Sequence, residues 1–277
     1  MSDTPDPTTP ATVEPTPPRS WRDFLKEYAI IVVGVLTALA AQQAVEWWHW
    51  RSEVAQAREA IATELTTNLV GAIYRMRGHA CTEQRLNELA LVLDTAAKHG
   101  SLPPLGHFGM PWRQTFPNGA WESVVASQTA THFPSRLMVD IASTYKMVSR
   151  IEEFSGREIE VWSVLYSMVG PGRVLDPASE AQLREALSKV RTDSRIMHSL
   201  SIQLIEAFGK LSLSLDRENR NRIAVAQNRP LTDLFICQPV GSPPASYGQG
   251  YMNPVMLAPA RTDAAMKIMR DISNGVP

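Results

Sequence analysis

A run of eighteen uncharged residues, Tyr28 to Val45 (Y-A-I-I-V-V-G-V-L-T-A-L-A-A-Q-Q-A-V), constrains this chain more than any other feature. As a helix it rises roughly 27 Å, close to the ~30 Å hydrocarbon core of a bilayer. Phe24 and Leu25 extend the apolar face backward, and Lys26 can carry its charge to the interface on its own methylene stem. Trp47, Trp48 and Trp50 follow at once, and amphipathic rings suit the headgroup boundary. The stretch therefore reads as a retained transmembrane span within an anchor at 21–50. Two other readings stay open. Arg19, Arg22 and Lys26 ahead of Ala38-Leu39-Ala40 also suit a cleaved signal peptide, although Asp23 and Glu27 interrupt the positive flank. The strictly apolar part, Tyr28 to Ala41, would also fit a buried core helix.

Three basic residues precede the span, while Arg51 and Arg58 follow it, a faint bias toward a cytoplasmic N-terminus. Cys81 and Cys237 are compatible with one disulfide in an oxidising compartment, and equally with two buried thiols. The first twenty residues hold six prolines and no apolar period, which predicts a disordered Pro-rich tail at 1–20. The rest, 51–277, is long enough for one substantial core. A net charge of −1 without a basic block argues against a nucleic-acid partner, because phosphate binding needs clustered Lys and Arg. No repeat with the period of a solenoid is evident.

Beyond the anchor the apolar residues step by three and four, marking helix faces. One stripe runs from Val54 through Ile61, Leu65, Leu69 and Met76 to Leu86, Leu89 and Leu93, giving a helix at about 51–98 that Gly100 stops. A second starts near Pro134 and runs through Leu137, Ile141, Tyr145, Val148, Ile151 and Trp162 to Gly170-Pro171-Gly172, predicting a helix at 134–170. Asp176-Pro177 opens a third as cap and first-turn proline. Its near-heptad seam of Leu183, Leu187, Val190, Met197, Leu204, Phe208, Leu211 and Leu215 predicts one helix over 177–227, with coiled-coil character and the capacity to pair with a second copy. Ala265, Ile268, Met269 and Ile272 suggest a short closing helix.

Segments of similar length joined by short turns pack antiparallel. The expected fold is thus all-α: an N-terminal transmembrane helix followed by an elongated antiparallel three- to four-helix bundle. That topology brings the irregular segments 101–118 and 228–259 together at the end far from the anchor. Phe108, Trp112, Arg113 and Phe116 from the first, Trp121 just beyond it, and Tyr247 and Tyr251 from the second either form a partner-binding tip of aromatic and Arg hot-spot chemistry or simply cap the open end of the bundle, burying its last core layer.

Catalytic patterns are weak. Glu46-x-x-His49 lacks the second copy and the further glutamates of a di-metal helix site. Ser143-x-x-Lys146 lacks its K-T-G companion. His79-x-Cys81 offers two ligands and nothing to complete a zinc set. No catalytic, cofactor-binding or metal-binding residue is therefore expected, nor any enzyme activity.

The residues Lys26-Glu27, Ile30-Ile31-Val32-Val33-Gly34-Val35-Leu36 and Ala38-Leu39, with a Trp soon after, form one signature. Ala120-Trp121-Glu122, Ser127, Leu137 and Tyr145 form a second. Together they resemble a family of uncharacterised bacterial single-pass membrane proteins. The chain departs from that pattern where Trp47 falls about a helical turn late and where Gln128 stands in place of a Gly after Ser127. The resemblance implies a helical domain on a single membrane anchor and carries no catalytic residues. The expectation is a single-pass protein of a bacterial inner membrane with a periplasmic C-terminal domain in an interaction or scaffolding role. Its partners would be membrane lipid, a second copy, or another membrane or periplasmic protein. A ligand-binding sensory domain acting through a separate membrane protein is the alternative.

Overall fold

A computed structural model describes residues 21–241, 266–272 and 274. The tail at 1–20, the closing-helix residue Ala265, and Tyr247 and Tyr251 of the expected tip lie outside the described residues. The fold is all-α. The helices are α1 (Trp21–His99), α2 (Gly119–Ala126), α3 (Ser135–Tyr166), α4 (Pro177–Lys210) and α5 (Arg217–Asn228). Residues 266–272 are also helical. Among the described residues one short strand pair forms, β1 (Ser101–Leu102) against β2 (Arg173–Val174), antiparallel, with Ser101 opposite Val174. Backbone contacts divide the chain into two units, residues 1–51 and 52–277.

In the first unit the large apolar side chains of α1 are mostly exposed, with little cover among the described residues. Ile30, Val33, Leu36 and Leu39 are all more than half exposed, as are Trp47 and Trp48. By length and composition this helix could cross a membrane, a criterion that a signal sequence near an N-terminus also meets. The ring of Trp47 sits under the Arg51 guanidinium at 5.2 Å.

In the second unit the stripe of α1 becomes the core. Ile61, Leu65, Leu69, Ile73, Met76, Leu86, Leu89 and Leu93 are buried, and they meet Ile141, Val148 and Ile151 of α3 and Val190, Met197 and Ile205 of α4 in one cluster. Gly100, at φ +70°, closes α1 in the left-handed conformation that glycine adopts without strain. Asp176 caps α4, its carboxylate accepting from the Ala178 and Ser179 amides at 3.0 Å ahead of Pro177. Asp216 caps α5 by accepting from the Asn219 amide at 2.6 Å.

Three features depart from the sequence-based expectation. The seam over 177–227 is not one helix, because the chain is extended between α4 and α5. There Leu211, Leu213 and Leu215 alternate with exposed Ser212 and Ser214, a period of two rather than 3.6. The α4 seam is also buried inside the unit, so it cannot serve as the surface for a second copy.

The third departure is direction. Along α1 and α3, Tyr145 Oη donates to Glu64 at 2.6 Å and Arg75 meets Glu158 at 2.5 Å, so both helices run the same way. Antiparallel pairing holds for α4, where Asp94 meets Arg184 at 2.8 Å and Glu83 meets Arg195 at 3.3 Å. Residues 100–118 make the difference. They are not a turn but a strap running back along α1, from Phe108 on Arg85 to Gln114 on Thr67 and Pro117 on Asn68. Gly170 consequently pairs with Leu105 beside the C-terminal end of α1, not at the opposite end.

Candidate functional site

A strap without regular structure leaves its backbone groups to find partners elsewhere, since buried unpaired groups are rarely tolerated. Arginines of α1 supply some of them, and they hold carbonyls of α5 and the chain after it as well. Arg85 donates to the carbonyls of Phe108, Ile236 and Gln238. Arg77 donates to Ala226 and Arg229, each at 2.6 Å, and Arg75 reaches the Trp112 carbonyl at 3.4 Å. Burial lowers the pKa of Arg85, and the Glu88 carboxylate at 3.0 Å offsets part of that. Cys81 on α1 is joined to Cys237 through an S–S bond of 2.07 Å, fixing the chain after α5 to the same helix.

This stitching disperses the aromatic residues expected at a single tip. Phe108 is fully buried and stacks on Tyr166 at 4.6 Å, with Trp162 at 6.1 Å. Phe116 is buried, its amide donating to Glu152 at 2.9 Å. Trp121 stacks on Tyr145 at 5.7 Å, about a third of the way along α3. From the Arg85 level to the Glu64 level, these rings are spread over roughly 30 Å of α1. Most of them are core or wall.

Trp112 and Arg113 stand apart. Trp112 lies against Tyr74 with centroids 4.6 Å apart, and the Arg229 guanidinium sits over both rings, at 5.5 and 5.8 Å. Hydrogen bonding to Tyr74 raises the pKa of Arg229, with Asp233 adding to the effect. Asp233 accepts from Arg229 Nε at 3.3 Å. Met110, Pro111, Leu234 and Phe235 complete the walls of a cleft of about 430 Å³. Arg113 lines this cleft and also a second hollow holding Glu152. Trp112 Nε1 is shielded from solvent and has no acceptor. Tyr74, Arg229 and Asp233 carry no local motif; only the strap's return path brings them to Trp112.

The sequence motifs do not converge on chemistry. Ser143 and Lys146 are both exposed on α3. The His79 ring stacks on that of His198 at 4.1 Å, and Cys81 is bonded to Cys237. His49 packs on Trp50 at 5.4 Å. Among the described residues no group of three or more His, Cys, Asp or Glu is placed to hold a metal ion. The Trp112 cleft offers stacking surface, two guanidinium groups and a carboxylate, which suit holding a ligand. No protein-family model, curated protein or solved structure matches this chain.

Proposed function

We propose that this chain is a membrane-anchored interaction or scaffolding protein. Its N-terminal helix is held in a bacterial inner membrane, and residues 52–277 form a helical bundle on the periplasmic side. The observation that carries the reading is the run from Phe24 to Val45, whose large apolar side chains are mostly exposed and find little cover among the described residues. Each large side chain left in water forgoes the roughly 1.5–3 kcal/mol that burial would supply. Lipid removes that penalty. The Cys81–Cys237 bond supports an oxidising compartment for the bundle. Lipid, a further copy through a surface other than the α4 seam, or another membrane or periplasmic protein is the partner this reading calls for.

The test is a carbonate wash of membranes from cells expressing the chain, followed by crosslinking and identification of what co-purifies. Retention in the pellet with a recurrent crosslinked partner is expected; release into the wash would overturn the anchor. The Trp112 cleft favours a second reading, a ligand-binding sensory domain that signals through a separate membrane protein.

A further inference from the structure

We propose that the cleft beside Trp112 binds a small organic carboxylate bearing a flat apolar ring, with the ring against Trp112 and the carboxylate on Arg113. This deepens the sensory reading, on which it rests. The volume of about 430 Å³ falls within the range of small-molecule pockets, and most of the wall is apolar: Met110, Pro111, Leu234 and Phe235. A flat ring is selected because the indole of Trp112, itself backed by Tyr74, lines the cleft. An anion is selected by charge. Arg229 is matched by Asp233, whereas Arg113 is exposed and makes no hydrogen bond or ion pair among the described residues. Among the residues lining the cleft the net excess is one guanidinium, Glu152 lying in the adjoining hollow, and a guanidinium suits a carboxylate in a two-pronged contact.

The walls are also held in place. Arg75 fastens the strap at Trp112, Arg77 fastens the backbone at Arg229, and the disulfide fastens the chain just past Phe235. Binding then orders few additional groups, which favours affinity for a small ligand. The same chemistry is presented by a free aromatic acid and by the C-terminal residue of a peptide.

Full-length protein in lipid nanodiscs is titrated calorimetrically with phenylacetate, with neutral phenylacetamide, and with acetyl-glycyl-phenylalanine. The acid is expected to saturate with a Kd below about 1 mM and the amide to bind at least about tenfold more weakly. Arg113→Gln should reduce the acid to the level of the amide and leave the amide unchanged, while Trp112→Ala should weaken both. Tighter binding of the peptide than of phenylacetate would assign the ligand to a peptide end; the reverse would assign it to a free acid. The proposal is overturned if neither acid saturates below about 5 mM, if acid and amide bind alike, or if Arg113→Gln leaves the acid unaffected. Circular dichroism checks that the variants stay folded. A failed titration leaves the anchor standing, because membrane retention is read separately in the carbonate wash.

Discussion

Arg75 and Glu158 meet at 2.5 Å with side chains only 6% and 4% exposed, so two charges have been taken out of water for each other. One carboxylate oxygen of Glu158 has no further partner, which makes the pair sensitive to losing its cation. Arg75→Leu should cost about 3–5 kcal/mol by urea denaturation, and Arg75→Leu with Glu158→Leu markedly less, because the stranded charge is gone. A single-variant loss under about 1 kcal/mol would show that the carboxylate finds water. The stacked His79 and His198 predict an acid limb. Burial, then the positive charge of His198, Arg75 and Arg195, holds His79 down to about 4, and burial also lowers His198. As pH falls from about 6.5 the unfolded chain takes up protons before the folded one, so stability is complete above that pH and drains away toward 4. Because both rings are only half-buried, about 2 kcal/mol should be lost between pH 7 and pH 4.5. His79→Phe should flatten that limb in the same titration, and an unchanged limb would assign the acid sensitivity to other groups.

The helices of the second unit were legible because their stripes are long and their caps explicit: Asp176-Pro177 and Gly100 stand where the periodicity stops. The path between helices was not. Periodicity marks which face is buried, but not the direction of the helix that buries it. Residues 100–118 can span ~60 Å when extended, slightly more than the ~50 Å of α1 between residues 64 and 99. A strap of that reach permits α3 to run parallel to α1, and nothing local distinguishes it from a loose end loop. Leu211 and Leu215 misled in the same way, since a spacing of four satisfies both a helix and an alternating extended segment. Aromatic residues of the strap were recognisable as important, but Tyr74, Arg229 and Asp233 were not, being ordinary residues on separate elements. The strap also makes a prediction. Gly109 has φ +67°, and a Cβ there would lie 2.5 Å from the Phe235 carbonyl; Gly100 has φ +70° and open space around it. Gly100→Ala should cost only the conformational strain of about 1–2 kcal/mol, and Gly109→Ala clearly more. Equal losses in denaturant would show that the contact between strap and C-terminal segment yields freely.

Across the whole second unit, the Cys81–Cys237 bond joins residues 156 apart and encloses every element from the end of α1 to the end of α5. A cross-link of that span restricts the unfolded chain, and its removal should cost about 2–5 kcal/mol. Reductant should lower the melting temperature of the wild type by roughly 5–15 °C, and the variant with both cysteines changed to serine should melt at the reduced value with or without reductant. A melt indifferent to reductant would mean that the unfolded state gains nothing when the link is cut. The order of assembly matters as well. Thr63, Thr67 and Arg77 of α1 take their α5 partners from residues 149 to 156 positions later in the chain. At about 5–20 residues per second, a ribosome needs roughly 8–30 s to deliver them. Throughout that interval α3 and α4 can already cover their parts of α1, but the face that α5 covers stays bare and must be kept from aggregating until α5 emerges.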